Sequence, residues 1–227
     1  MLVYLDQNYA SRLAKFLLGQ RGQEVFGDLY RAMRARDVLA PPSHFHVLEL
    51  RGGYLLPTFQ GLFAEFAGGW WVRHWQEVVR VQAARGGVER EDLLTRSGSW
   101  EEAADLRPLL GLTELRPGED FFSCAWAFQD ELAARLELRR SLGSSLPFIR
   151  LLARLLAFRA VEPDRLARDS DLPDLVMAAT IAPYADVLAT DRYVSETLRR
   201  VGFGGAVYSG RAQDVRRLIG ALGAARS

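Results

Sequence analysis

Acids in this chain stand where short apolar runs stop. The opening run Met1-Leu-Val-Tyr-Leu ends at Asp6, with Asn8 two residues on, and a distant run, Asp186-Val-Leu-Ala-Thr190, ends at Asp191. Just before the second run, Asp171-Leu-Pro-Asp174-Leu-Val-Met-Ala-Ala reads as a helix that begins with two further acids. In an open parallel α/β sheet, ligands bind outside the carboxyl ends of the strands, so this pattern predicts an acidic pocket. If strands 2–6 and 186–190 are parallel neighbours, their carboxyl ends lie about 5 Å apart and Asp6 sits beside Asp191. The helix preceding a parallel strand runs the opposite way, which brings Asp174, and Asp171 with it, to the same edge. Carboxylates so close cannot all ionise without raised pKa values unless a divalent cation compensates them. All-oxygen ligands suit Mg²⁺ or Mn²⁺ and argue against zinc or copper.

Each acid also has a local reading. Asp171 can cap its helix with Asp174 three residues on, Asp6 with Asn8 can be a turn that opens a helix, and Asp191 can cap a helix over 192–201. Glu49, alone on a helix, reads as a solvated charge. Their joint arrangement is what favours a pocket. Other chemistries find little support: Cys124 is the only cysteine, which excludes a disulfide framework or a cysteine-based zinc site within one chain. His44, His46 and His74 are the only histidines, and the first two, two positions apart, point in different directions on a helix.

The elements that must position these residues follow from periodicity and breakers. After strand 2–6, helices are expected over 9–18 and 25–36, then a second short strand over 37–40 stopped by Pro41-Pro42. Ser43 is a plausible N-cap for a helix through Leu50. Residues 54–159 read as almost wholly helical, with no strand-like alternation, and 118–140 is the clearest helix, with Glu119 and Asp120 at its start and Arg139 and Arg140 at its end. All five tryptophans fall in this stretch, where packing is the commoner use and base stacking the rarer one. Helix 171–184, strand 186–190, helix 192–201, strand 206–209 and helix 211–223 complete the alternation. The expected fold is α/β: one domain over 1–227, three-layer α/β/α with a short, doubly wound parallel sheet and a large helical insertion over about 54–160.

The chain has 227 residues, 49% of them hydrophobic, enough for a sizeable core, and a net charge of only +1. No whole-molecule field therefore steers nucleic acid, and attraction must come from patches. Two exist: residues 135–168 carry eight arginines and three acids, and residues 192–227 carry seven arginines against Glu196 and Asp214, a balance of +5 in each. No run approaches the ~18 apolar residues of a membrane span and no secretion signal is visible, so a cytoplasmic protein without a membrane partner is expected.

Asp6-x-Asn8 closing the first strand, Ser43 then Glu49 in the following helix, Asp174 in Asp-Leu-Val-Met-Ala-Ala, and Leu188-Ala-Thr190-Asp191 before Tyr193 together resemble a PIN domain. The resemblance spans about 1–52 and 168–210 and leaves the helical middle uncovered. It implies a Mg²⁺- or Mn²⁺-dependent endoribonuclease leaving a 5′-phosphate and a 3′-hydroxyl. Asp6, Glu49, Asp174 and Asp191 would be the catalytic, metal-holding quartet, with Asn8 and Thr190 as nearby polar support; Asp171, placed near them by the strand-edge topology alone, is a further supporting candidate. Glu49 enters on this resemblance alone. Family members often carry the last acid two residues after the threonine, where this chain has Arg192, here assigned to substrate binding. RNA is the implied substrate. Because toxins of toxin–antitoxin pairs belong to the family, an antitoxin protein is a partner it suggests, and a homodimer is a separate expectation. The rival reading is a catalytically inert PIN-like protein that binds RNA or a protein partner. A phosphatase opening on Asp-x-Asp is disfavoured by Asn8.

Overall fold

The computed structural model describes residues 1–50, 53–86, 89–139, 145–162 and 171–224. Along the chain run β1 (Val3–Leu5), α1 (Gln7–Leu17), α2 (Glu24–Arg34), α3 (His44–Leu50), α4 (Leu56–Ala67), β2 (Trp71–Val72), α5 (Trp75–Arg85), α6 (Arg90–Leu93) and β3 (Leu94–Thr95). Then follow α7 (Phe121–Arg135), α8 (Pro147–Val161), α9 (Asp171–Ile181), β4 (Val187–Thr190), α10 (Arg192–Arg200), β5 (Ala206–Ser209) and α11 (Ala212–Ala224).

The centre is a parallel sheet in the order β1-β4-β5, with Leu5 paired to Ala189 and Thr190 to Ser209. Its strands are apolar on both faces because both faces are covered. Leu2, Tyr4, Leu188 and Val207 point to one side, into a core with Trp75 of α5, Phe128 of α7, Leu152 of α8, Leu175 of α9 and Leu198 of α10. Val3, Leu5, Val187 and Ala189 point to the other, against Leu13 of α1, Phe26 of α2, Phe63 of α4 and Leu218 of α11. The period of two along each strand thus separates the two cores. The fold is mixed α/β, with helices on both sides of a small parallel sheet.

The expected strand over 37–40 shrinks to one parallel bridge, Leu39 to Leu2, in which Val3 N donates to Leu39 O and Leu39 N to Met1 O, each at 2.9 Å. Pro41 and Pro42 explain the stop: proline has no N–H to extend the ladder. The expectation of no strand in the helical middle also needs correction. β2 and β3 form an antiparallel ribbon, Trp71 opposite Thr95 and Val72 opposite Leu94, two residues a side and too short to leave an alternation.

The middle of the chain does not build a core of its own. α4 joins α1 on one side of the sheet, while α7 packs on α8 and α8 on α9, extending the other core outward. α7 is shorter than the sequence suggests. Asp120 is its N-cap, accepting from Phe122 N at 2.7 Å and Ser123 N at 3.1 Å, and the chain turns at Glu137, whose φ is 54°. Arg139 therefore lies past the helix end, and Arg140 lies outside the described residues. Trp71 and Trp75 are core residues as expected, but Trp126 is 72% exposed. Among the described residues no helix is long and apolar enough to cross a membrane.

Candidate functional site

Asp6 and Asp191 occupy equivalent places. Each follows a strand and caps the next helix: Asp6 Oδ1 accepts from Tyr9 N at 3.0 Å at the start of α1, and Asp191 Oδ1 accepts from Val194 N at 2.7 Å at the start of α10. Asp6 N donates to Ala189 O at 2.8 Å, so β1 and β4 deliver both caps to one edge of the sheet. A cap engages one carboxylate oxygen and leaves the other. Capping and pocket-lining, alternatives in the sequence, are both realised.

Asp174 arrives from the first turn of α9 and Glu49 from the last turn of α3. Asp6, Glu49, Asp174 and Asp191 line one cavity of about 480 Å³, together with Tyr4, Gln7, Asn8, Phe45, His46, Pro173 and Met177. No residue of the 54–160 insertion contributes to this wall, so among the described residues the helical middle supports the site without covering it.

Electrostatics match this crowding. Burial, followed by the charges of Glu49, Asp191, Asp6 and Asp171, raises the Asp174 pKa to about 8. Burial and then the charges of Asp6 and Asp191 raise Glu49 to about 7. Asp6 rises less, to about 6, because burial is opposed by the Thr190 hydroxyl and the amides of Tyr9 and Asp191, while the Asp191 charge adds to it. Thr190 Oγ1 is fully buried and makes no hydrogen bond of ordinary geometry, yet lies near enough to Asp6 to favour its ionised form.

A polar strut holds Glu49 in place. Ser43 N donates to His46 Nδ1 at 3.0 Å, which puts the ring proton on Nε2, and Nε2 donates to Leu5 O at 2.8 Å. His46 is the third residue of α3, so its bond back to the Ser43 amide is one half of a capping box, with imidazole in place of the usual Glu or Gln. Ser43 Oγ, expected as an ordinary cap, instead pairs with Tyr4 Oη at 2.7 Å and His46 Nδ1 at 3.1 Å. Tyr4 and His46 are site residues that the sequence reading missed. The signals were present: Tyr4 is two residues before Asp6 on one strand face, and His46 is three before Glu49 on one helix face. His44 points elsewhere, its ring 4.9 Å from that of His74 and its Nδ1 2.8 Å from Glu102 O.

Of the expected supporting residues, Asn8 lines the acidic cavity, while Asp171 falls differently from expectation. Asp171 does not line the cavity. It is 1% exposed and pairs with the buried Arg159 of α8, Nε to Oδ2 at 3.3 Å, so it ties α9 to α8, and its charge acts on Asp174. Asn8 is exposed and accepts from Arg12 Nε at 3.2 Å, standing between the acidic cavity and a neighbouring one. Arg192 lines that neighbour rather than the acidic cavity, its Nε 2.7 Å from Glu196 Oε1.

By donor chemistry the acidic cavity fits a hard divalent cation. It offers four carboxylates, and Gln7 Oε1 in its wall is buried with no hydrogen-bond partner. The acids ring the cavity rather than converge: among the described residues, no three His, Cys, Asp or Glu side chains form a ready-made metal-holding group. Comparison with protein-family models, with curated proteins and with solved structures finds no match to this chain.

Proposed function

We propose that this chain is a divalent-metal-dependent endoribonuclease with a PIN-like fold. The single observation that carries the reading is the meeting of Asp6, Glu49, Asp174 and Asp191 around one cavity at the carboxyl edge of β1 and β4. These four residues would hold Mg²⁺ or Mn²⁺, with Gln7 beside them. A bound ion of this kind supplies positive charge to the phosphate oxygens and lowers the pKa of the attacking water.

The chain's own residues do the positioning. Asp6 and Asp191 are fixed by their capping bonds, and Glu49 is fixed by the His46 strut, so three of the four carboxylates sit on restrained backbone. Glu49 and Asp174 hold protons near neutrality when uncompensated and ionise when positive charge enters the cavity. Tyr4, Phe45 and Met177 give the cavity an apolar wall beside the carboxylates. Arg192, beside the cavity, meets the phosphate backbone with a salt-sensitive contact. RNA as the substrate class rests on the resemblance to PIN domains, as do an antitoxin partner and a toxin role.

The test is cleavage of a 5′-labelled single-stranded RNA with EDTA, Mg²⁺ or Mn²⁺. The expected result is cutting only with the metal, 5′-phosphate and 3′-hydroxyl ends, and loss of cutting in Asp6→Asn and Asp191→Asn. RNA binding without cutting, unchanged in Asp6→Asn, would assign the chain to an inert binding protein instead.

A further inference from the structure

Asn8 and Asp191 form a wall shared by the acidic cavity and a second cavity of about 350 Å³, whose other lining residues are Arg12, Arg192, Gly210, Arg211 and Ala212. The two cavities are opposite in character. The three guanidinium groups come from three parts of the chain: Arg12 from α1, Arg192 from the start of α10, and Arg211 from the turn between β5 and α11. Topology brings them together, because each parallel strand ends at this edge and the next helix leaves from it. The approach is close; a Cβ at Gly210 would lie 3.4 Å from Asn8 Oδ1.

The core does not account for these arginines. The side chains of Arg192 and Arg211 are 65% and 55% exposed. Their contacts engage only part of their hydrogen-bonding capacity. Arg12 gives Nε to Asn8 Oδ1 at 3.2 Å, Arg192 gives Nε to Glu196 Oε1 at 2.7 Å, and Arg211 Nη2 lies 3.8 Å from the same Glu196 oxygen. One glutamate thus serves two arginines, and each guanidinium carries five N–H donors. Arg12 also lies over the Phe26 ring, 5.4 Å from its centre, which restrains the planar group for a bidentate acceptor. A cationic cavity one residue's width from an anionic one suits a polyanion that places successive phosphates in both.

We infer that the Arg12–Arg192–Arg211 cavity is a second-phosphate subsite, holding the phosphodiester next to the one in the acidic cavity, so that the protein recognises a polynucleotide by two consecutive phosphates. The inference rests on the nuclease reading of the acidic cavity. It makes Arg12 and Arg211 substrate-binding residues and predicts a need for phosphate beyond the scissile bond.

The test uses the full chain and a set of fluorescent 12-mer RNAs, each with one phosphate replaced by an uncharged methylphosphonate, with binding read by anisotropy. For the natural protein, neutralising the phosphate beside the cleaved bond should weaken binding on the order of tenfold, the scale of a lost charge-assisted contact. In the Arg12→Gln/Arg211→Gln double variant the unmodified RNA should bind weakly, and neutralising that same phosphate should cost nothing more. The salt slope of the double variant should be shallower by about 0.7, one phosphate's worth on a single strand. An equal loss at that position in both proteins, or an unchanged salt slope, overturns the subsite. Absence of metal-dependent cutting would overturn the nuclease reading separately, since the binding series still decides whether these arginines read one particular phosphate.

Discussion

His46 Nε2 donates to Leu5 O at 2.8 Å, and by this bond the helix that carries Glu49 is tied to the strand that ends in Asp6. Burial holds the ring pKa down at about 4, against the partial opposition of its contacts to Leu5 and Ser43, so the imidazole is neutral at physiological pH. His46→Leu leaves the Leu5 carbonyl and the Ser43 amide without this partner inside the protein. The expected cost is about 1–3 kcal/mol in denaturant unfolding at pH 7.5, with a loss of cleavage through misplaced Glu49. The pH dependence has a definite sign. A histidine with a depressed folded pKa contributes stability that is present above its ordinary value of 6.5 and is lost as pH falls towards about 4. The gap between natural protein and variant should therefore narrow between pH 6.5 and 4, and a constant gap would show that the neutral ring is not what matters.

The carboxylates titrate in the opposite sense. Asp174 rises from 3.8 to about 8 and Glu49 from 4.5 to about 7, so only well below pH 3.8 are both protonated whether folded or unfolded, with no penalty. As pH rises, the unfolded chain ionises first, and stability is lost until the folded values are passed. Asp174→Asn should therefore raise Tm at pH 8 in EDTA, by an amount that shrinks as pH falls and is nearly gone at about pH 3. Mn²⁺ should raise the Tm of the natural protein at pH 8 and raise that of Asp174→Asn less. Equal stabilisation of both by the metal would remove Asp174 from the ligand set.

Asp6 and Asp191 allow structural and chemical roles to be separated, since each caps a helix with one oxygen while facing the cavity. Asparagine caps a helix about as well as aspartate, whereas alanine costs on the order of 1 kcal/mol. Asp6→Asn and Asp191→Asn should keep or raise Tm and lower cleavage by roughly a hundredfold or more, given that even supporting residues of metal sites cost 10–100-fold. Asp6→Ala should lose both. A parallel fall of Tm and activity in the asparagine variants would reduce these acids to caps.

What was legible in the sequence follows from how each feature is encoded. The meeting of Asp6 and Asp191 could be read because parallel pairing alone brings strand ends together, and β1 pairs with β4 in that register. Asp174 followed from the direction of α9. Glu49 could not be reached this way, because its place depends on Ser43, His46 and Tyr4 hydrogen bonds that leave no periodic trace. Asp171 looked like a pocket residue because its partner, Arg159, lies in the helical middle that the strand-edge argument never addressed. Pro41 and Pro42 were read as the end of a strand, and their effect reached further back than expected, leaving a single bridge at Leu39.

That Arg159–Asp171 contact makes the helical middle consequential for a site it does not line. Both side chains are almost fully buried, at 1% and 2% exposure, and they join α8 to the first residue of α9, three positions before Asp174. Asp171→Leu leaves the buried Arg159 guanidinium without this carboxylate and should cost about 3–5 kcal/mol, and Arg159→Leu should also destabilise by removing a buried cationic partner of Asp171. Replacing both by apolar residues should cost much less, because neither desolvated charge remains. The double variant then becomes informative about function. It should fold, with Asp174 released from the Asp171 charge that helps raise its pKa, and its apparent metal affinity at pH 7 should fall modestly, because a negative charge that favours a proton on Asp174 favours a divalent cation beside it more strongly. A double-mutant cycle in urea, paired with a Mn²⁺ titration of each stable protein, measures both effects. Additive single costs would show that the two side chains do not act as a pair.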